Sequence, residues 1–225
     1  MGLMENNINI LYIYMVDNST GPLIVYSPST EATKTVRATF ATDGHETFYP
    51  AWEDLRVPVV TANATVNGPT LAVLKAGFTI WVYKFINTGA RNVTFVAQMP
   101  HNWKEGTDII PHVHYIPDTG GVIGQTITWT LDYVWMNIGD TIPGAVTIVS
   151  STYTTVAGDT EKHIMQNIPS ASGISGTGKT MSSCLICRLW RDTSSVNTWA
   201  TNISFLEVDF HYQVDSLGSL TTTTK

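Results

Sequence analysis

Charge is what this sequence has least of. Only 13% of its 225 residues are Asp, Glu, Lys or Arg, about half the share of an ordinary soluble domain. A surface so poor in charge, filled instead with Thr, Ser and Asn, is expected to be covered in large part by neighbouring subunits. The balance is acidic, 12 basic against 18 acidic side chains for a net charge of −6. The electrostatic basis for holding nucleic acid is therefore missing, and no nucleic-acid partner is expected. Long apolar runs are missing as well. None approaches the roughly 18 residues of a membrane span, so no membrane partner is expected. The N-terminal stretch MGLMENNINILYIYMV lacks the basic region of a secretory signal. Its short apolar run reads as a strand or a docking arm.

Cysteine is nearly absent: Cys184 and Cys187 are the two in the chain. Their CxxC spacing invites a redox or zinc reading. On a strand, however, residues three apart point to opposite faces, so the two can neither pair nor chelate together. No second CxxC completes a zinc site. The expectation is a chain without a disulfide, assembled in a reducing cytosol. A helical period is also missing from every long segment; residues 52–58 and 160–167 have room for a helical turn or two.

What is present is period-two alternation. Ile80, Val82 and Lys84 alternate with Trp81, Tyr83 and Phe85, and Val93, Phe95, Ala97 and Met99 share a face. Ile127, Trp129, Leu131, Tyr133 and Trp135 alternate with Thr126, Thr128, Thr130 and Asp132. Met181, Ser183, Leu185, Cys187 and Leu189 mark a further strand. Leu206, Val208, Phe210, Tyr212 and Val214 alternate with Glu207, Asp209, His211 and Gln213. Turn clusters separate these runs, as in Asp118-Thr-Gly-Gly and Asn137-Ile-Gly-Asp. Apolar residues at 43% supply a core, and the Thr-rich composition favours strands. The pattern predicts an all-β, jelly-roll-like antiparallel sandwich. Residues 1–40 differ, with short apolar runs broken by Gly-Pro and Ser-Pro. They read as an N-terminal arm, residues 41–219 as the sandwich, and residues 220–225 as a flexible tail.

Three sites carry candidate chemistry. His112-Val113-His114 puts two imidazoles on one strand face, a spacing that suits a metal. With Gly106 ahead and Asp118 behind, it resembles the first cupin motif, Asp standing for the usual Glu. His163 and Asn167 resemble the end of the second motif. A cupin-type metal enzyme would use His112, His114, Asp118 and His163. The lead-in to His163 does not fit, and residues 159–163 read as a polar loop. The simpler account, interior or interface histidines with ordinary hydrogen-bond partners, is preferred, and no cofactor is assigned. The second site, Gly173 to Thr180, fits the string G-x-x-x-x-G-K-[ST]. A phosphate loop needs a buried parallel strand before it and a helix after it. Here a loop precedes and strand-like alternation follows, so the glycines are expected to shape a tight link and Lys179 to bind no phosphate. Third, Trp103 and Trp199 would stack on sugars if exposed, although aromatics of a sandwich are usually core. No Gly-x-Ser-x-Gly elbow or paired carboxylate is identifiable, so no catalytic residue is assigned.

Several segments resemble one family. Gln98-Met-Pro-His-Asn-Trp-Lys-Glu-Gly-Thr-Asp-Ile-Ile-Pro-His-Val-His-Tyr115 resembles a recurring segment of tailed-phage and prophage virion proteins. Trp52-Glu-Asp-Leu-Arg-Val-Pro58, Leu131 to Asp140, Thr177 to Ser183 with Cys187 to Asp192, and Leu206 to Asp215 are similar to further segments, in the same order. Together they cover residues 45–216, and residues 1–40 lie outside. The resemblance implies a non-enzymatic virion component, a trimeric β-sandwich of the head-fibre, decoration or tail-accessory kind. Its location would be the virion, assembled in the host cytoplasm. Its partners would be copies of itself in a homotrimer, and the major capsid or other virion proteins through residues 1–40. A host-surface glycan is compatible with the same reading, as a carbohydrate-binding role in attachment.

Overall fold

The computed structural model describes residues 13–14, 23–26, 36–40, 46–48, 51–57, 63–64, 67–170, 172–193, 197–219 and 221–222. Among them there is no helix, and every paired strand is antiparallel. Strands β1 (Ile13–Tyr14), β2 (Leu23–Tyr26), β3 (Val36–Phe40) and β4 (Glu46–Phe48) form a meander that pairs only within itself. β1 to β3 fall in the segment expected to be an arm, most of which lies outside the described residues. Of the expected tail, only Thr221 and Thr222 are described.

The other strands are β5 (Ala51–Val57), β6 (Asn63–Ala64), β7 (Thr70–Val73), β8 (Trp81–Phe85), β9 (Asn92–Gln98) and β10 (Ile110–Pro117). After them come β11 (Thr126–Met136), β12 (Thr147–Thr154), β13 (Ile164–Asn167), β14 (Cys184–Arg191) and β15 (Ile203–Val214). One sheet has the order β13-β10-β15-β8-β7, with β5 also paired to β15; the other runs β12-β11-β14-β9-β6. From β9 to β15 the chain crosses repeatedly between the sheets, which gives the sandwich its jelly-roll character.

The inner faces meet through aromatic rings. Phe85 stands edge-on to Trp129 at 4.9 Å between centroids, Tyr115 lies 5.7 Å from Trp129, and Phe95 lies 6.3 Å from Phe210. The core faces of β9 and β11 are those the alternation predicts: Val93, Phe95 and Ala97 on one, Ile127, Trp129, Leu131 and Trp135 on the other. Trp103 and Trp199 are also buried, so neither is available to stack on a sugar. Residues 52–58 and 160–167 differ from expectation. Residues 52–57 lie in β5 and residues 164–167 form β13, each paired along a longer strand that provides its hydrogen bonds, while a turn closed by Lys162 N–H donating to the Asp159 carbonyl precedes β13.

β15 departs from simple alternation. Its register against β10 shifts between His114 and Tyr115, so that His114 faces Glu207 while Tyr115 faces Phe205. The extra residue, Leu206, is a β-bulge. Ile203 and Phe205 fill the core before it, and Val208, Phe210 and Tyr212 after it. Leu206 itself, expected in the core, is half-buried. On β14, Cys187 is buried and Cys184 half-buried. Burial raises the Cys187 thiol pKa far above its ordinary value, consistent with an inert packing role.

One charge lies fully inside. Arg191 is 0% exposed. It donates to the carbonyls of Phe85 at 3.0 Å, Thr201 at 2.8 Å and Trp199 at 2.5 Å. Burial lowers its pKa to about 10, so it stays charged at neutral pH. Arg191→Met keeps the bulk but strips three buried carbonyls of a donor. It is expected to cost roughly 3 kcal/mol in urea unfolding, with part regained in Arg191→Lys.

Candidate functional site

A polar cluster covers the outer face of the sheet that contains β10 and β15. The ladder dictates its membership. His112 sits opposite Asp209 across β10 and β15, His211 sits opposite Asp54 across β15 and β5, and His112 sits opposite Asn167 on β13. Because side chains repeat every second residue, His114, Glu207 and Arg56 fall on the same face. With Ile110 and Met165 these residues line an open cleft of about 520 Å³. Three carboxylates, Asp54, Glu207 and Asp209, face one guanidinium there, so the cleft is net acidic.

The distances are short. His112 Nε2 is 2.5 Å from Asp209 Oδ1 and 3.7 Å from Asp54 Oδ1, and His114 Nε2 is 3.4 Å from Asp209 Oδ2. His114 Nδ1 is 2.7 Å from His163 Nε2. His211 Nδ1 is 2.6 Å from Asp54 Oδ1, and its ring stacks on Trp52 at 4.8 Å. His112 and Asp209 are buried, at 5% and 3% exposed. Although 2.5 Å apart, their facing atoms are not aligned as a hydrogen bond. Asp209 Oδ1 and His114 Nε2 have no hydrogen-bond partner among the described residues. Burial, ahead of the opposing pull of Asp209, lowers the His114 pKa, which favours the neutral imidazole. Arg56 closes one side through Glu207, at 3.0 Å from Nε and 2.5 Å from Nη2.

The structure therefore brings together His112, His114 and His163 and leaves out Asp118. That residue follows β10, roughly 20 Å along the strand from His112 at about 3.3 Å per residue. There it takes an ion pair from Lys84 at 2.6 Å and a hydrogen bond from Ser204 at 2.9 Å. The cupin-like set of His112, His114, Asp118 and His163 is not assembled. The histidines also stand on the outside of a sheet, whereas a cupin holds its metal inside the barrel. The carboxylate beside them is Asp209. Asp209, His211 and Asp54 belong to polar strand faces visible in the sequence, but alternation alone does not say which strands are neighbours.

The Gly-rich segment is a packing element. Lys179 Nζ donates to the carbonyl of Trp135 at 2.8 Å. Ile174 pairs with Ile109 as a short bridge, and β14 follows in place of a helix. A Cβ at Gly176 would lie 2.1 Å from the Thr107 carbonyl oxygen, and one at Gly173 would lie 2.4 Å from that of Ile109. Close backbone approach is the reason for glycine here.

No family model and no curated protein matches the chain. Among solved structures it is similar to a family 30 carbohydrate-binding module, at 11% identity over 70% of this chain and 98% of that one, with a TM-score of 0.39. It is also similar to a carbohydrate-binding module studied for mannan recognition, at 12% identity over 72% of this chain and 88% of that one, TM-score 0.31. A third likeness is to the infectious bursal disease virus Gx strain structure, at 8% identity over 85% of this chain and 38% of that one, TM-score 0.32. Likenesses this loose assign no function. No helix among the described residues is long and apolar enough to cross a membrane.

Two substitutions separate packing from phosphate chemistry in the glycine segment. Gly176→Ala is expected to cost on the order of 2 kcal/mol, because its Cβ meets backbone that cannot yield freely. Lys179→Ala, which loses one hydrogen bond to a carbonyl, is expected to cost about 1 kcal/mol or less. Neither the wild type nor Lys179→Ala should bind ATP by calorimetry. ATP binding lost in Lys179→Ala would overturn this account.

Proposed function

We propose that this chain is a non-enzymatic structural component of a phage particle that assembles as a homotrimer through the outer face of its five-stranded sheet. One observation carries the reading. Val96 pairs with Ile186, and Ile186 with Val134, so three branched apolar side chains stand in line across β9, β14 and β11. Val96 is 60% exposed and Ile186 50%, and Ile148 on β12 adds a further side chain at 61%. Val134 is half-buried, so the exposed apolar side chains of this face are Val96, Ile186 and Ile148; such side chains grouped on one face are costly to leave in water and mark an interaction surface. A second copy of the chain is the natural cover for a sandwich so poor in surface charge, and closed symmetry is the usual outcome. The order of motifs over residues 45–216, which resembles that of phage virion proteins, supports the same reading. Residues 1–40 are then the attachment to capsid or other virion proteins, adding strands to a neighbour's sheet edge where main-chain hydrogen bonds supply affinity.

A role in host-surface attachment is favoured by the opposite sheet. Its acidic cleft is flanked by Trp52, 43% exposed and stacked on His211, an arrangement of aromatic ring and carboxylates suited to a glycan.

Light scattering should give about three times the 24.7 kDa chain mass. Ile186→Lys should yield folded monomers, since it places a charge in the middle of the row. Deletion of residues 2–38 should leave a soluble trimer that no longer joins the particle. A wild-type monomer at micromolar concentration would sink the assembly reading, and a truncated chain that fails to fold would sink the arm.

A further inference from the structure

The cluster around Asp209 poses a physical problem. A carboxylate 3% exposed is expensive to keep charged unless strongly compensated. Its Oδ1 accepts no hydrogen bond among the described residues. Imidazole nitrogens of His112 and His114 lie 2.5 and 3.4 Å from its carboxylate, and one of them, His114 Nε2, is itself buried without a hydrogen bond among the described residues. The far side of His114 is also engaged. Its Nδ1 lies 2.7 Å from His163 Nε2, and two imidazole nitrogens bond only when one carries the proton. If Nδ1 of His114 is the donor, its Nε2 is a bare lone pair directed at a carboxylate 3.4 Å away. A lone pair and a negative charge that face each other at that distance with so little exposure repel each other unless a cation joins them.

We propose that His112 Nε2, His114 Nε2 and the Asp209 carboxylate bind one divalent cation of the zinc class, with His163 as a positioning residue behind His114. Two imidazoles and a carboxylate are a donor set suited to zinc and its transition-metal neighbours. Donor atoms each about 2 Å from the ion lie roughly 3–3.5 Å apart. The His114–Asp209 separation of 3.4 Å already meets this, and the 2.5 Å between His112 and Asp209 has to open by roughly 0.5–1 Å. The fold fixes all three ligands: the histidines share a face of β10, and Asp209 is the ladder partner of His112. His163 is brought in by β13, whose Ile164 pairs with Tyr115. A hydrogen bond to the second ring nitrogen is the usual way a metal-binding imidazole is held in its tautomer. The acidic lining attracts a cation, and the remaining coordination positions face the cleft, open to water or an oxygen donor. Asp54 and His211 stand close to His112 but are already bonded to each other at 2.6 Å, so they form the rim and not the ligand set.

The test uses the full chain, stripped with EDTA and titrated with Zn²⁺ by calorimetry and with Co²⁺ by visible absorption. One ion per chain is expected, with Co²⁺ bands typical of a nitrogen–oxygen site. His114→Gln and Asp209→Asn should each abolish uptake. His163→Gln, on an exposed ring, should keep the stoichiometry and weaken affinity roughly 10- to 100-fold. His211→Gln should bind as the wild type does. Circular dichroism confirms that each variant is folded, and His163→Gln keeps the test decisive if Asp209→Asn disturbs the sheet. A wild type that takes up neither ion, or uptake that survives His114→Gln and disappears in His211→Gln, overturns the site. Unchanged affinity in His163→Gln overturns its positioning role. The trimer is measured on the same samples, so failure here is separate from failure of the assembly reading.

Discussion

The pairing of β10 with β15 is the constraint on which the rest of the sandwich depends. It runs from Ile110 opposite His211 to Pro117 opposite Ile203. One face of this ladder delivers Val113, Tyr115, Val208 and Phe210 to the core, and the other delivers His112, His114, Asp209 and His211 to the cleft. Because the side-chain period is two, a slip of one residue would send the imidazoles and the carboxylate against Trp129 and expose the aromatics. The register is therefore set by burial. The bulge at Leu206 lets Ile203 and Phe205 return to the core beyond it, and such bulges commonly re-aim side chains beside a site.

Most of the core was legible because alternation reports directly on which face of a strand is buried. β9 follows it, and β11 does so on its core face apart from the half-buried Tyr133, although Thr128, Thr130 and Asp132 on its other face are buried too. β14 begins later than the alternation from Met181 predicts. A turn closed by Ser183 Oγ donating to the Thr180 carbonyl, with Ser182 at a φ of 61°, delays the strand to Cys184. Leu206 misled because a bulge leaves no local mark in the sequence. Residues 52–58 misled because a short charged run such as Trp52-Glu-Asp-Leu-Arg has no period long enough to separate helix from strand, and only the partner β15 decides the matter. For the cluster, the two-residue spacing of His112 and His114 was informative, and His163 does reach His114. Asp118 was drawn in by its nearness in sequence. Asp209, 97 positions on from His112 by residue number, is adjacent to it in space. A long-range ladder contact of that kind cannot be read from one chain's periodicity.

The two outer faces of the sandwich divide their labour. One carries the row of Val96, Ile186 and Val134, and in the next row, between Arg188 and Ile148, the buried Asp132, which is satisfied by Arg188 and by Trp190 Nε1 at 3.1 Å. The other carries titratable groups and a cleft. Between them Arg191 ties β14 to the carbonyls of β8 and of the segment before β15. That buried link joins the two sheets through a densely packed core.

The place of β15 in the chain has a consequence for biosynthesis. Every strand it pairs with, β5, β8 and β10, leaves the ribosome earlier. Until β15 emerges, β5 has no partner in its sheet, while β8 with β7 and β10 with β13 are separate fragments. Non-local pairings form late because loop closure must be met before contacts repay it. The last strand thus works as a lock turned after translation of everything it holds. A chain in which β15 has not yet emerged presents neither a closed sandwich nor a complete cleft.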